Sequence, residues 1–421
     1  MVVPRIIPRP EHPISRRDID PDALKVLYRL RQFDHVAYLV GGSVRDLLLG
    51  RRPKDFDIGT SAHPYQVKKL FRNCWIIGRR FRLAHVKFGS KVVEVATFRR
   101  QVAPGEEVVQ DGVPAPDPST PEGEHLIHHD NTFGTPEEDA FRRDFTINAL
   151  AYDIATFSII DYVGGLEDLR AGLVRSIGDP EVRLREDPVR MLRAVALAAR
   201  LNFTIDPPVL EAIRTHRHEI AHSSAPRVLE EYYKILRAGS AEKTFRMLAE
   251  VGLLEPISTE LHRGATEPLW RSLAELDAYR RPFESTPDTL TNPILLGSLL
   301  VPLGILPVPG PKASVSKLGA LPLARRDVER LSQLLGLQRR LRDVTASSRA
   351  QRALAHRSLF PETLTWFEIH GGDPDTVGAW KTVLAQRPVE GEDFPVEGHE
   401  PGPRRRRRRR RRRRPLRPLQ S

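Results

Sequence analysis

The stretch Lys54-Asp55-Phe56-Asp57-Ile58 places a carboxylate on each side of one aromatic residue, shortly after the glycine pair Gly41-Gly42. Side chains two apart on a β-strand point to the same face, so we expect Asp55 and Asp57 to project together and Phe56 to turn into the core. Two neighbouring acids repel each other unless a cation or a shared proton relieves them, so the pair indicates a divalent-metal site. A solvent-facing acidic strand end is the alternative interpretation.

Length and charge limit the class of protein. The chain has 421 residues, of which 40% are hydrophobic, enough for several domains with buried cores. Its formal net charge of +12 falls to +1 without a run of eleven arginines near the end. A single cysteine, Cys74, excludes an intramolecular disulfide and fits a reducing compartment. The start of the chain has no signal-peptide core and no window approaches a membrane span, so we predict a soluble cytoplasmic protein.

A strand, a glycine turn and a helix are predicted just before the acid pair. The strand covers residues 36–40 and ends at Gly41-Gly42, and the following helix has a plausible cap at Ser43 and a glycine stop at Gly50. This arrangement leaves backbone N–H groups where an anion could bind, and Arg45 would add a charged donor. A simple tight turn is the alternative reading of the two glycines.

After the acid pair we predict a helix capped by Ser61 and then a hairpin. The hairpin joins residues 84–88 to residues 91–97 through the turn Gly89-Ser90. Glu94 stands on a strand that otherwise requires burial, so it needs a partner. Two explanations remain open, a salt bridge to a neighbouring arginine and a third carboxylate of the metal site.

Residues 101–138 are rich in Pro, Gly, Asp and Glu and predict a long mobile loop. Order resumes at residue 139, where Arg142, Arg143 and Asp144 head an apolar segment. The two arginines suit a triphosphate, and Asp144 could accept a hydrogen bond from a ribose hydroxyl. A solvated helix face is the alternative.

The remainder is predicted to be helical. Arg190 follows Glu186 by four residues and Asp187 by three, so the three can share one face. They could read the hydrogen-bonding edge of a base, or Arg190 could form an ordinary intrahelical salt bridge. Amphipathic helices are predicted over residues 21–32, 207–217, 227–237, 241–251, 268–280, 293–300 and 325–341.

The end of the sequence changes character at residue 388. Residues 388–403 are acidic with proline and glycine, and the arginine run follows. Like charges cannot pack together, so we predict disorder. Polyarginine indicates a polyanionic partner, most simply RNA bound without sequence preference, with a membrane surface or an acidic protein as the alternative. The predicted RNA-binding residues of the tail are Arg404, Arg405, Arg406, Arg407, Arg408, Arg409, Arg410, Arg411, Arg412, Arg413 and Arg414.

Four ordered motifs closely resemble the class II nucleotidyltransferases, the family of bacterial poly(A) polymerases and of the enzymes that build the CCA end of tRNA. The motifs are residues 39–50, Asp55-Phe56-Asp57, residues 142–149 and residues 185–190. The resemblance covers residues 36–257 and implies an α+β fold, in which a polymerase-beta-like head of mixed sheet and helices precedes an all-α neck and body and a disordered basic tail. The implied segments are an N-terminal extension 1–20, the nucleotidyltransferase head 21–170, a nucleotide- and RNA-binding neck 171–257, the body 258–387, and linker and tail 388–421.

The resemblance also implies roles for single residues. Asp55 and Asp57 would hold two Mg²⁺ ions, or Mn²⁺ in their place, with Glu94 as the third metal ligand and Asp144 as a further catalytic residue. One metal would lower the pKa of the RNA 3′-hydroxyl for attack on the α-phosphate of ATP, and the other would steady the leaving pyrophosphate. The implied nucleotide-binding residues are Gly41, Gly42, Ser43, Arg45, Arg142, Arg143, Asp144, Asn148, Glu186, Asp187, Arg190 and Arg193.

Three features favour a poly(A) polymerase within this family. Residues 70–74 and 76–86 are similar to a segment that distinguishes bacterial poly(A) polymerases from CCA-adding enzymes, residues 324–341 look like the poly(A) polymerase body, and a basic tail suits assorted RNAs. We therefore predict a template-independent polynucleotide adenylyltransferase that adds AMP from ATP to RNA 3′ ends and acts in RNA polyadenylation and mRNA turnover. Its predicted partners are RNA, ATP and an RNA-degradation machinery, without a membrane.

Two other functions stay open at this point. One is a CCA-adding or A-adding tRNA nucleotidyltransferase, and the other is a non-catalytic RNA-binding protein on the same fold. The composition of the loop 101–138 departs from the family, and beyond residue 341 the resemblance ends.

Overall fold

The computed structural model describes residues 3–78, 82–100, 132–305, 317–343 and 347–385. The chain forms two compact units, Met1–Gln333 and Leu334–Ser421. Most of the predicted loop, residues 101–131, and the run Arg404–Arg414 lie outside the described residues. The boundaries proposed above for head, neck, body and tail stay a prediction.

An eight-stranded mixed sheet opens the first unit. Its strands are β1 (Arg5–Ile7), β2 (Ala37–Val40), β3 (Ile58–Thr60), β4 (Cys74–Ile77), β5 (Leu83–Phe88), β6 (Lys91–Thr97), β7 (Ala151–Asp153) and β8 (Ser158–Asp161). They lie in the order β1-β8-β7-β2-β3-β6-β5-β4, and the β3–β6 pair is parallel while the other pairs are antiparallel. The predicted N-terminal extension thus supplies an edge strand of the sheet. A separate parallel pair joins β9 (Leu173–Val174) to β10 (Thr204–Ile205).

Helices make up most of what remains. Those of the first unit are α1 (Pro21–Gln32), α2 (Gly42–Leu48), α3 (Pro64–Leu70), α4 (Pro136–Phe141), α5 (Gly165–Ala171), α6 (Pro180–Glu186), α7 (Val189–Leu201), α8 (Pro207–His216), α9 (Ala225–Arg237), α10 (Ala241–Glu250), α11 (Thr259–Arg263), α12 (Glu267–Arg280) and α13 (Asn292–Leu300). The helix α14 (Arg325–Arg342) runs through the point of division, and the second unit continues with α15 (Ser348–Ala355), α16 (Phe360–Ile369) and α17 (Pro374–Ala385). The predicted α+β class is confirmed. Among the described helices, none combines the length and apolar character needed to cross a bilayer.

The periodicity of the sequence locates most of these elements correctly. The seven amphipathic helices named above agree with the structure to within two residues at each end, and the hairpin of β5 and β6 turns at Gly89-Ser90 as predicted. The cap predicted at Ser61 is wrong. α3 begins after His63, and the Ser61 hydroxyl instead accepts a hydrogen bond from the N–H of Val36 at 2.9 Å.

The second unit has a core of its own. Buried Phe360 packs against Trp380 with 5.2 Å between ring centroids. The indole N–H of Trp380 donates to the carbonyl of Leu341 at 2.9 Å, which satisfies a polar group in this apolar environment. Helical structure therefore continues beyond residue 341, where the resemblance stops.

Candidate active site

The turn between β2 and α2 depends on Gly41. Its φ of 74° lies in the left-handed region that favours glycine. A Cβ on Gly41 would lie 3.1 Å from Nη1 of Arg143, so this guanidinium approaches the turn directly. α2 already begins at Gly42, and the Ser43 hydroxyl donates to the carbonyl of Val40 at 3.0 Å. The helix cap predicted at Ser43 is therefore wrong, because the chain turns before it.

Arg45 is buried and bonded within the protein. Its Nε and Nη2 contact Oδ1 of Asp46 at 2.8 and 2.7 Å, and its Nη1 donates to the side-chain oxygen of Asn148. Arg45 and Asn148, both predicted nucleotide ligands, are thus brought together as a pair that ties α2 to the segment before β7. A direct contact of Arg45 with phosphate stays a prediction.

The acid pair lies just before β3, not on it. Asp55 and Asp57 belong to an irregular segment, and Phe56 between them is only half-buried. The prediction of a strand that turns Phe56 into the core is wrong, because ladder pairing starts only at Ile58. The carbonyl of Asp57 nevertheless accepts from the N–H of Val40 at 3.0 Å. This bond holds Asp57 at the end of β2.

Glu94 is the neighbour of Asp57 across the parallel strand pair. Ile58 on β3 pairs with Val95 on β6, so the residues just before them lie side by side. Glu94 is exposed while Val95 is buried, because successive side chains on a strand point to opposite faces. The arginine partner considered for Glu94 is wrong, since its contact is His85 on β5, with 3.5 Å between Nε2 and Oε1.

The three acids influence each other electrostatically. Solvent reaches part of Asp57, but the protein around its carboxylate removes part of its hydration. This desolvation, and then the negative charges of Glu94 and Asp55, raise the pKa of Asp57 to about 6. Oδ2 of Asp55 lies 3.8 Å from Nζ of Lys54. Within the described residues no three His, Cys, Asp or Glu side chains come close enough to hold an ion. These oxygens are the donors that Mg²⁺ prefers, but a shared coordination sphere requires Asp55 and Glu94 to turn toward Asp57.

Both arginines of the Arg-Arg-Asp motif are held by an acid that the sequence analysis missed. Asp139, buried on α4, contacts Nε of Arg142 at 3.2 Å and Nη2 of Arg143 at 3.0 Å. It also accepts from the N–H of Arg99 at 3.2 Å, while Arg143 donates to the carbonyl of Asn148 at 3.2 Å. The spacing of Asp139, three and four residues before the arginines, was the signal that identifies it.

Asp144 connects several of the predicted ligands. Its Oδ1 accepts from the N–H of Phe145 at 2.9 Å and from Nδ2 of Asn148 at 3.3 Å, and its Oδ2 accepts from Nη1 of Arg193 at 3.0 Å. The carboxylate therefore has a fixed orientation between the Arg-Arg-Asp motif and α7.

Asp187 is oriented by two arginines. Its Oδ2 accepts from Arg193 at 3.0 Å and from Arg227 on α9 at 2.8 Å. Burial opposes ionisation, but the hydrogen bond from Arg227 and the charge of Arg193 outweigh it, so the pKa of Asp187 lies below its ordinary value. Its other oxygen, Oδ1, is buried without a hydrogen-bond partner among the described residues, as is Nε of Arg193. Arg227 was missed because its position on α9 is remote in sequence.

Glu186 and Arg190 form the salt bridge offered as the simpler interpretation, with Oε2 and Nη1 3.1 Å apart. The pair joins the end of α6 to the start of α7. The hydrogen bonds of Asp187 go instead to Arg193 and Arg227. Arg183, also missed, lies beside them. It donates to Glu186 at 2.7 Å and, through Nη2, to the carbonyls of Arg142 and Arg143 at 2.8 Å each. A buried arginine thus joins α6 to the end of α4.

Comparison with known proteins agrees with this geometry. A family model described as "Poly A polymerase head domain" matches residues 37–175, and one described as "Probable RNA and SrmB- binding site of polymerase A" matches residues 202–264. Poly(A) polymerase I of Salmonella typhimurium is 51% identical over 263 residues, which are 62% of this chain and 55% of that protein. The corresponding protein of Haemophilus influenzae is 41% identical, over 62% of this chain and 56% of that protein. The chain therefore spans about half the length of the curated relatives it matches.

A similar solved structure covers more of the fold. It is that of the Bacillus stearothermophilus CCA-adding enzyme in complex with CTP, 30% identical with a TM-score of 0.60, over 87% of this chain and 82% of that one. Similarity thus extends into the helical part of the chain.

Proposed function

We propose a function for this chain on the premise that it belongs to the family of poly(A) polymerases and CCA-adding enzymes. It is a template-independent polynucleotide adenylyltransferase that transfers AMP from ATP to RNA 3′ ends and releases pyrophosphate. The observation that carries the proposal is the parallel register that sets Asp57 beside Glu94. The identity of 51% with a poly(A) polymerase I supports the choice of adenylate.

Asp55, Asp57 and Glu94 are the residues that would hold the metal. When bound, two Mg²⁺ or Mn²⁺ ions would lower the pKa of the RNA 3′-hydroxyl and neutralise charge on the leaving pyrophosphate. The hydrogen bond from the N–H of Val40 fixes the main chain of Asp57, while Asp55 and Glu94 have solvent-exposed side chains with only long ion-pair contacts. The two exposed side chains can therefore turn toward Asp57 at little cost.

The nucleotide would lie between the Gly41 turn and α7. Asp139 and Arg183 fix the Arg142–Asp144 segment, so its charged groups are oriented before the triphosphate and ribose arrive. Oδ1 of Asp187 is an unpaired buried acceptor, so it suits a base that carries an exocyclic amino group. Adenine and cytosine each carry an amino group that can donate such a hydrogen bond.

The partners and the location follow as parts of the proposal. RNA would contact residues 202–264, where the family model names an RNA site. The run Arg404–Arg414 would add contacts to RNA phosphates, a role that rests on its charge alone. The protein would act in the cytoplasm together with an RNA-degradation machinery.

A second candidate, CCA addition to tRNA, is favoured by the similarity to the B. stearothermophilus enzyme. Incubation of the purified protein with Mg²⁺, a generic RNA primer and each nucleoside triphosphate separately decides between the two. Long products from ATP alone are the expected result. Addition restricted to tRNA that stops at CCA would establish the second candidate instead.

A further inference from the structure

Within the part of the chain that the structure describes, the section of the sheet that carries the acids has one covered face and one open face. On the covered face Cys74, Ala84, Val86, Val93 and Val95 are buried, and α3 packs against β4, β5 and β6. Side chains alternate along each strand, so their sequence neighbours project from the opposite face. That second face is the one that bears Glu94.

Strand register aligns four side chains in one row across this open face. Asp57 precedes Ile58, which pairs with Val95, so Asp57 lies beside Glu94. Glu94 pairs with His85 on β5, and His85 pairs with Trp75 on β4. The row therefore runs from the proposed metal ligands to an aromatic ring at the edge of the sheet.

β4, at the end of the row away from the acids, exposes two apolar side chains, Trp75 and Ile77, and β6 exposes a third, Val92, two residues before Glu94. Trp75 is 53% exposed, Ile77 is 50% exposed and Val92 is 48% exposed. The other three tryptophans of the chain, Trp270, Trp366 and Trp380, are all buried. Trp75 and Ile77, two residues apart on β4, expose apolar surface side by side on the face that bears Glu94, and an apolar patch next to a functional site marks a place where a ligand can bind. Lys87, two residues after His85 on β5, adds an exposed cation to the same face.

We propose that this open face, formed by Trp75, Ile77, His85, Lys87 and Val92, binds the last nucleotides of the RNA primer, with a base stacked on Trp75. The inference rests on the proposed function, because Asp55, Asp57 and Glu94 then mark the place of the 3′-hydroxyl. β4 is two strands from β6, a distance of about 10 Å, so the stacked base belongs to a nucleotide a short way upstream of the 3′ end. Stacking on an aromatic ring tolerates any base, as a template-independent enzyme requires.

The principal test compares two substitutions of Trp75 in the full chain. Trp75→Ala should raise the KM for an RNA primer about fivefold or more, while the KM for ATP and the kcat at saturating primer stay as in the wild type. Trp75→Phe keeps an aromatic face and should recover most of the primer affinity. Tyr65→Ala is the matched control, since Tyr65 is 60% exposed on α3 and should leave all three constants unchanged. A primer KM of Trp75→Ala within about twofold of the wild type overturns the proposal.

A binding measurement separates this proposal from the proposed function. Titration with oligo(A) should quench tryptophan emission, because Trp75 is the exposed indole, and Trp75→Phe should abolish that quenching. Lys87→Gln should lower the slope of log affinity against log salt by about 1. If no nucleotide is incorporated at all, the proposed function fails, and the titration alone then decides whether this face binds RNA. Quenching that persists in Trp75→Phe overturns the proposal even in an active enzyme.

Discussion

Two charged regions of the candidate site differ in how far nearby cations compensate the negative charge of their carboxylates. We call Asp55, Asp57 and Glu94 the acid cluster, and Asp144, Asp187, Arg193 and Arg227 the arginine network. In the acid cluster the contacts to cations are long and the pKa of Asp57 is raised to about 6. In the arginine network Asp187 accepts two guanidinium bonds, and its pKa is lowered. The first region is therefore left with uncompensated negative charge, whereas the second supplies its own cations.

The difference indicates two ways of preparing a site. An acid cluster with uncompensated negative charge would bind metal, because a cation relieves the repulsion between the carboxylates. An arginine network holds its carboxylates in position before the substrate arrives, so little conformational freedom is lost on binding. Mutations should therefore separate the two: in the acid cluster they should remove activity without loss of stability, and in the network they should remove both.

The largest expected effect is that of Asp57→Ala on catalysis. Loss of a ligand for both proposed metals should lower kcat/KM on the order of a thousandfold or more, because the reacting groups then lose their charge stabilisation. The unfolding transition should stay cooperative, since the substitution removes repulsion. Primer extension at saturating Mg²⁺ and urea unfolding measure the two quantities. A variant that no longer unfolds cooperatively would argue against a metal-site role for Asp57.

Asp187→Asn should reduce both activity and stability. Arg193 and Arg227 would lose their shared carboxylate charge, and we expect a loss of about 2 kcal/mol in the free energy of unfolding. The kcat/KM for ATP should fall at least about tenfold, because the proposed acceptor for the amino group of the base changes its chemistry. The matched control is Glu329→Gln on α14, where an exposed pair with Arg325 should contribute less than about 0.5 kcal/mol. Equal effects of the two variants would remove the distinction between network and surface pair.

Arg183→Met should act mainly on the position of the Arg142–Asp144 segment. The side chain keeps its apolar stem, but the carbonyls of Arg142 and Arg143 lose their donor. We expect the KM for ATP to rise about fivefold to tenfold with a smaller change in kcat, because the proposed phosphate contacts shift while the acid cluster is untouched. Steady-state kinetics with varied ATP measures this split. A fall in kcat with an unchanged KM would place Arg183 nearer to the chemistry.

The two regions also differ in how far the sequence predicts them. The acids and the Arg-Arg-Asp motif are recognisable because each is a short local pattern, and amphipathic periodicity places α8 to α10 to within two residues. The partners that orient these residues are harder to predict. Asp139 is local enough to be found by its spacing, but Arg227 meets Asp187 only because α9 packs against α7. Likewise the position of Trp75 in one row with Glu94 could not be predicted without the strand register.

The smallest expected effect concerns the pH dependence of stability in the metal-free protein. Asp57 has a pKa of about 6 in the fold against an ordinary 3.8, so the folded state binds the proton more tightly than the unfolded chain does. Stability should therefore fall as pH rises from about 4 to about 6, and Asp57→Asn should abolish that fall. Because solvent reaches and screens the side chain, we expect a gain below about 1 kcal/mol at pH 8 over the wild type, shrinking toward pH 4. Urea unfolding with a chelator at both pH values measures it, and a gain of equal size at pH 4 and pH 8 would show that charge repulsion is not its source.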